Sequence, residues 1–142
     1  MLKNNERLSN AKGPSAPQPE PTTLLDQGFI RPSVLILLPF RSFGHAWVSA
    51  LLEHLPSHQV ENRSRFNAEF TLPAGTTDKL LASPYGAYPD DHVENFKGNI
   101  DDNFRVGVKV TRKSIKLFSD FYSSDVIVAS PLGLRQAIEK EK

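Results

Sequence analysis

Cysteine is absent from this sequence of 142 residues, and its absence removes several kinds of chemistry. Without a thiol the chain has no disulfide framework, no cysteine nucleophile and no thiolate ligand for a metal. Long apolar segments are missing too, because no run approaches the roughly 20 residues needed to cross a bilayer. The polar N-terminal stretch lacks the apolar core of a secretory signal. We therefore expect a soluble intracellular protein with no membrane partner.

A strong net charge and the common catalytic motifs are also missing. The formal net charge is +1, which is too small to indicate nucleic acid or membrane by itself. No Gly-x-x-x-x-Gly-Lys-Ser/Thr loop occurs, so the element with which P-loop enzymes hold phosphates is absent. The histidines form no His-Glu-x-x-His pattern, and no serine stands in a Gly-x-Ser-x-Gly elbow. We expect no enzyme activity, no cofactor and no metal.

Two acidic pairs are the remaining candidates for a metal. Asp90 and Asp91 form the first pair, and Asp101 and Asp102 form the second. Both pairs stand in sequence broken by proline and glycine, and neither follows an apolar strand, where the magnesium-binding acid of a P-loop enzyme would stand. We interpret them as solvated loop charges.

Residues 1–30 are predicted to be a poorly ordered lead-in, followed by one domain over residues 31–142. Four prolines stand close together in the lead-in among small and polar residues: Pro14, Pro17, Pro19 and Pro21. Proline has no amide donor and restricts the residue before it, so a linker or surface arm is expected.

Apolar patterns beyond residue 31 predict strands alternating with helices. The apolar run 34–38 is bounded by prolines and is typical of a parallel strand buried on both faces. Ser42 stands where it would cap a helix that runs to Leu55. Alternation over 104–111 predicts a strand with one wet face, and 126–129 predicts a second buried strand.

The intervening and closing segments give weaker signals. Residues 57–103 are repeatedly broken by proline and glycine, which predicts a long irregular insertion. Residues 114–122 place apolar side chains near helical spacing and predict a short helix. A closing helix is expected after residue 131. Together the patterns predict an α/β fold with a parallel sheet and flanking helices.

Two predicted corners carry polar groups from a buried strand into a helix. The first covers residues 38–42 (Leu-Pro-Phe-Arg-Ser), and the second covers 129–135 (Ala-Ser-Pro-Leu-Gly-Leu-Arg). In open α/β sheets, ligands bind at the carboxyl ends of the strands. Arg41 and Arg135 are each expected near a helix N-terminus, where free amides and the helix dipole favour a phosphate.

Both corners resemble segments of DEAD-box RNA helicases. Residues 38–42 are similar to the Pro-Thr-Arg-Glu segment of those enzymes, and 125–135 are similar to their Thr-Pro-Gly-Arg segment. In that superfamily both segments line the groove that holds the RNA backbone. Phe40 replaces the small threonine, Ser42 replaces the glutamate, and Leu132 is an insertion in the second corner.

A more specific resemblance is to the digestive organ expansion factor family, a nucleolar component of the small-subunit processome. The residues that carry it are 26–29 (Asp-Gln-Gly-Phe), 34–41, 98–105 and, above all, 111–135. Members are several times longer, so the resemblance implies a fragment of the first lobe, a partial RecA-like domain of the P-loop NTPase and helicase kind. The family also lacks a working phosphate loop.

That resemblance implies a function and a location. The expected role is non-catalytic work in pre-rRNA processing and small ribosomal subunit biogenesis, in the nucleolus of the nucleus. The expected partners are pre-rRNA, U3 small nucleolar RNA and other processome proteins.

Twelve residues are the candidates for RNA contact. The corners contribute Pro39, Phe40, Arg41, Ser130, Pro131, Gly133 and Arg135. A basic stretch without an acid contributes Arg105, Lys109, Arg112, Lys113 and Lys116. Phosphate attraction through such a stretch would be independent of sequence and sensitive to salt. A solvated strand face balanced by the acidic insertion explains the same stretch equally well.

Two further functions remain open. The chain could be a fragment of an active DEAD-box-type RNA-dependent ATPase whose catalytic segments lie elsewhere. It could also be a purely protein-binding module, with Phe118, Phe121 and Tyr122 as candidate contacts. The helicase-like interpretation requires both corners to face the same rim of one sheet.

Overall fold

The computed structural model of the protein describes residues 32–140. The elements in chain order are β1 (Val34–Leu37), α1 (Arg41–Glu53), β2 (Gln59–Glu61), α2 (Arg63–Phe70), α3 (Asp90–Phe96), β3 (Arg105–Val110), β4 (Ser114–Leu117), β5 (Val126–Ala129) and α4 (Pro131–Lys140). A single 3₁₀ turn, Phe121–Ser123, precedes β5. The lead-in predicted for residues 1–30 lies outside the described residues.

The five strands form one mixed sheet in the order β1-β5-β3-β4-β2. β1 is parallel to β5 and β2 is parallel to β4, whereas β3 is antiparallel to both of its neighbours. The α/β class with a partial RecA-like sheet is confirmed. The sheet is parallel where the two corners leave it and antiparallel around β3, because a short turn joins β3 directly to β4 and a parallel pair would need a long crossover.

One face of the sheet carries the core beneath α1 and α2. The buried apolar side chains of this core are Val48, Phe66, Phe70, Phe104, Val106, Val108, Ile115, Leu117 and Val128. The ring of Phe70 lies at its centre, with centroids 4.4 Å from Phe66 and 5.4 Å from Phe104, the latter edge-on. Such pairs add to the stabilisation from burial.

β1 is an edge strand, so the prediction that it is buried on both faces was wrong. Val34, Leu35 and Leu37 are 45%, 50% and 50% exposed. Within residues 32–140 only β5 pairs with β1, and only one of its faces lies toward the core. A continuous apolar run indicates that both faces of a strand could be buried, whereas the position of the strand in the sheet determines how much of it is buried.

The short helix predicted over residues 114–122 was also wrong. Residues 114–117 form β4 with alternating burial, and Phe118 then turns the chain at φ 57°. Ile115 and Phe118 both contact the core, as helical spacing would also require, but Tyr122 is exposed. Three apolar positions are too few to distinguish the period of a strand from that of a helix.

The insertion is more regular than predicted, since it contains β2, α2 and α3. α1 begins at Arg41, with Phe40 as its N-cap and no capping side-chain hydrogen bond. The prediction that Ser42 caps this helix was therefore wrong, because Ser42 lies inside the first turn.

Candidate nucleic-acid interface

The two strand-to-helix corners leave the sheet at the same rim. β1 and β5 are adjacent and parallel, with Leu37 in register with Ala129. The amide of Leu38 then donates to the carbonyl oxygen of Ala129 at 3.0 Å, which continues the pairing to the rim. The expected placement of the corners is confirmed.

At the first corner the helix amides are already bonded by the insertion. The amide of Arg41 donates to the carbonyl of Asp101 at 3.0 Å, and the amide of Ser42 donates to that of Asn99 at 2.9 Å. These are the donors that would otherwise be free at an N-terminus. The insertion backbone therefore occupies the place in which a phosphate was expected.

The guanidinium of Arg41 ties three segments together. It donates to the carbonyl oxygens of Glu69 at 2.8 Å and Asn103 at 2.9 Å. Its Nε lies 3.0 Å from a carboxylate oxygen of Asp101, and its plane lies over the ring of Phe70. The side chain is 20% exposed. These contacts hold α2 and the chain leading into β3 against the first corner.

The second corner is built by Ser130 and Gly133. The buried Oγ of Ser130 accepts the amide of Gly133 at 2.9 Å and that of Phe104 at 3.3 Å, so it caps α4. Pro131 occupies the first helical position, where a missing amide costs nothing. A β-carbon on Gly133 would collide with the carbonyl of Phe104, which shows how closely α4 approaches β3.

The remaining corner residues are more accessible. Arg135 is 76% exposed and pairs with Glu139 one turn later at 2.8 Å. Pro39 is exposed, and Phe40 is half-buried with its ring centroid 5.6 Å from that of Phe96. Of the two corner arginines, Arg135 has its guanidinium open to an external ligand.

A polar cleft of about 250 Å³ opens behind Arg41, and it contains an arginine that sequence analysis missed. Arg65 of α2 lies over the ring of Phe118 at 4.0 Å and pairs with Glu69 at 2.7 Å. Arg105 also lines this cleft. Arg65 was overlooked because it lies in the segment predicted to be irregular; its four-residue spacing from Glu69 was the available signal.

The β3–β4 turn carries the second group of candidates, which we name the basic hairpin: Lys109, Arg112, Lys113 and Lys116. Lys109 and Lys116 lie directly opposite each other in the antiparallel register. Their sequence neighbours point into the core, so both lysines lie on the other face of the sheet. Glu61 is in register with Lys116 on β2. Within residues 32–140, however, none of the four cations forms an ion pair.

Hydrogen bonds fix the turn of the basic hairpin. The amide of Thr111 donates to the carbonyl of Ser114 at 2.9 Å, and the amide of Ser114 donates to the Thr111 hydroxyl at 3.0 Å. Arg112 and Lys113 are exposed between these two residues. Two cations are thus presented outward on an ordered turn.

The basic hairpin and the corners lie at opposite ends of the strands, because β3 runs antiparallel to β5. Arg105 is in register with Ala129 at the rim, and Val108 is in register with Val126 at the start of β5. β3 then continues past β5 into the turn. Arg105 therefore stays with the corners, and its Nη1 lies 3.4 Å from the carbonyl of Gly133. The twelve candidates form two groups rather than one site.

The acidic pairs differ in their surroundings. Asp90 and Asp91 lie in the first turn of α3, where carboxylates interact favourably with the positive end of the helix dipole. Asp101 bonds Arg41 and the amide of Asn103. Within residues 32–140 no group of three or more histidine, aspartate or glutamate side chains is arranged to hold a metal. The same part of the chain contains no helix with the length and apolarity to span a bilayer.

Comparison with known proteins gives a family and a set of long relatives. A family model described as "UTP25, NTP hydrolase-like domain" matches residues 1–142. The protein named U3 small nucleolar RNA-associated protein 25 from Schizosaccharomyces pombe is 47% identical over 138 residues, which is 97% of this chain and 19% of that protein. Its namesake from Arthroderma benhamiae is 51% identical over 118 residues, which is 83% of this chain and 16% of that protein.

A third namesake, from Candida albicans strain SC5314, is 43% identical over 139 residues, which is 98% of this chain and 18% of that protein. The chain thus spans about a fifth of the length of these curated relatives. No solved structure matches it.

Proposed function

The chain belongs to the UTP25 family, to its NTP hydrolase-like domain, and on that premise we propose that it is a non-catalytic, RNA-binding part of a ribosome-assembly factor. The relatives' name associates them with U3 small nucleolar RNA. By extension we assign this protein to the small-subunit processome in the nucleolus. There it acts in pre-rRNA processing, with pre-rRNA, U3 small nucleolar RNA and processome proteins as partners.

The observation that carries the proposal is the pairing of Lys109 with Lys116. Like charges directly opposite each other destabilise a sheet, and neither lysine forms an ion pair with a described residue, although Glu61 is in register with Lys116 on the neighbouring strand β2. A phosphate backbone would relieve that repulsion. Arg112 and Lys113 extend the same positive surface around the turn. The contacts would be to phosphate, so they would position RNA without reading its sequence.

The rim supplies a second, smaller contact. Arg135, Arg105 and Arg65 present guanidinium groups there, and guanidinium matches phosphate in a bidentate geometry. Arg41, Ser130 and Gly133 serve this contact indirectly, because their bonds hold the helices and strands that carry it. We therefore divide the corner residues into those that touch RNA and those that hold the corner in place.

The non-catalytic part of the proposal is supported by the absence of a phosphate loop from these 142 residues. The family description, NTP hydrolase-like, gives the competing function, an ATPase. ATP turnover by the full-length protein that rises on addition of RNA, and that is lost on mutation of a phosphate loop elsewhere in it, would favour that alternative.

RNA binding is tested by removing two charges from the turn. Fluorescence anisotropy with a labelled single-stranded RNA would compare the wild-type chain with Arg112→Gln/Lys113→Gln. The matched control is Lys97→Gln/Lys140→Gln, which removes two lysines away from the basic hairpin. We expect the slope of log affinity against log salt to fall by about 1.4 for the first pair, at roughly 0.7 per phosphate contact. Equal slopes for both pairs would refute RNA binding at the hairpin.

A further inference from the structure

A row of aromatic rings runs along α3 and reaches the first corner. We name Tyr88, His92, Phe96 and Phe40 the aromatic row. Successive ring centroids are 5.6 Å, 4.8 Å and 5.6 Å apart. His92 and Phe96 are four residues apart and share one face of α3, whereas Tyr88 precedes the helix and stacks its ring on that of His92. Tyr88 is 45% exposed and Phe96 is 39% exposed, while nearby Tyr85 is fully exposed.

An apolar cleft of about 370 Å³ lies beside the aromatic row. Its lining includes the rings of His92 and Phe96, the apolar side chains of Leu72, Leu80 and Ile100, and one cation, Lys79. Its size is that of a pocket for one or two apolar side chains.

Asp78 holds the cleft in shape. Its carboxylate accepts the amide of Gly98 at 2.6 Å and that of Leu80 at 3.0 Å, which joins residues 78–80 to the chain that follows α3. The bond from Gly98 is the main reason that the pKa of Asp78 is lowered. The cleft is therefore built by specific bonds and is not a gap between loose loops.

The surroundings of the cleft are strongly acidic. Residues 72–102 contain six carboxylates and two lysines. Lys97 pairs with Glu94, and Asp101 pairs with Arg41. Asp90 and Asp91, next to Tyr88 in sequence, form no ion pair with any described residue. Exposed aromatic rings beside unneutralised carboxylates attract cations and repel phosphates.

We propose that this surface binds a basic polypeptide segment carrying one apolar anchor residue. Arginine or lysine side chains of the partner pair with Asp90 and Asp91 and stack on Tyr88, and the anchor enters the cleft. Buried aromatic and apolar anchors with a polar rim are the usual composition of a protein-binding hot spot. The inference goes beyond RNA binding: the cationic partner docks on the insertion, beside the rim, while the basic hairpin holds RNA at the opposite end of the strands.

The test uses a labelled probe peptide with one central leucine between two runs of arginine. Its binding to the 142-residue chain is measured by anisotropy, beside a peptide with glutamate in place of arginine and an arginine peptide without leucine. Tyr88→Ala removes a ring but no charge, and Asp90→Asn/Asp91→Asn removes two charges but no ring. Glu53→Gln/Asp120→Asn is the matched control, since both carboxylates are exposed and outside the insertion.

We expect the leucine-centred arginine probe to bind most tightly, and each insertion variant to weaken it about fivefold. The control should bind as the wild type does. Equal binding of the arginine and glutamate probes, or no loss in Tyr88→Ala, would overturn the proposal. Equal binding of the leucine-free probe would show that the cleft has no role and would also overturn it.

A single-stranded RNA oligonucleotide is the fourth ligand in the test. If Tyr88→Ala weakens RNA binding and leaves peptide binding unchanged, the aromatic row is a base-stacking surface and the proposal is wrong. Circular dichroism of each variant checks folding. Because Tyr88→Ala leaves the first-turn carboxylates of α3 in place, it remains informative even if the Asp90 and Asp91 variant loses helix.

Discussion

Gly133 of α4 lies directly against the carbonyl oxygen of Phe104, the residue that precedes β3. The contact is so close that a β-carbon on Gly133 would have to displace backbone. The glycine of the second corner therefore has a packing role that is independent of any ligand.

Gly133→Ala is expected to destabilise the fold by about 2–3 kcal/mol, because backbone cannot yield to the added methyl as a flexible side chain would. Urea unfolding followed by circular dichroism measures the change. Arg135→Ala on the same helix is the control, and it should cost at most about 0.5 kcal/mol, since the pair with Glu139 is exposed. Similar unfolding midpoints for the two variants would contradict this packing role.

Arg41→Ala is expected to cost about 3 kcal/mol, because it removes two charge-assisted bonds to the carbonyls of Glu69 and Asn103. Arg41→Lys should recover only part of the loss, since one ammonium cannot span both carbonyls and Asp101. The measurement is again urea unfolding. If Arg41→Ala is as stable as the wild type, the contacts of the guanidinium do not hold the corner.

Lys116→Gln should change stability and RNA affinity in opposite directions. Removing one of two opposed lysines relieves repulsion, so stability is expected to rise by up to about 0.5 kcal/mol. RNA affinity is expected to fall. Lys97→Gln breaks the pair with Glu94, so it should lower stability slightly and leave RNA binding intact. A thermal melt measures the stability of both variants, and an RNA titration measures their affinity. If Lys116→Gln is less stable than the wild type, the two opposed lysines do not destabilise the sheet.

Asp78 should make the cleft sensitive to acid. Its pKa is lowered from the usual value of 3.8, chiefly by the amide of Gly98, so the charged form is favoured in the folded state. That stabilisation is complete above the unfolded pKa and is lost as pH falls through the folded one. The protection of the Gly98 amide against hydrogen exchange, taken relative to the intrinsic exchange rate at each pH, should therefore fall below about pH 4, and Asp78→Asn should remove this dependence. An identical acid response in both proteins would exclude Asp78 as the cause.

Local sequence patterns predicted much of the fold. The strands at 34–37, 105–110 and 126–129 were found with the helices that follow the two corners, because alternation and apolar runs are properties of adjacent residues. The shared rim of the corners was predicted from the parallel arrangement that two strand-to-helix units require, and β1 and β5 have it.

The rest depended on residues far apart in sequence. The Arg41 side chain is bonded to carbonyls 28 and 62 residues away, and no local pattern reports such partners. The amides of α1 were expected to be free, yet the backbone of the insertion occupies them. Arg65 joins the rim only because α2 packs beside α1, a relationship that periodicity does not contain.

The pairing of β1 also determines the order in which the chain can fold. β1 hydrogen-bonds only to β5 among the described residues, and the two strands are separated by most of the described chain. A ribosome synthesising this chain therefore releases an apolar strand long before its partner exists. Non-local parallel pairing of this kind is slow, and until it forms, the apolar side chains and the unpaired backbone groups of the strand are exposed. We therefore expect the apolar segment around Leu35 to remain unpaired until β5 has been synthesised.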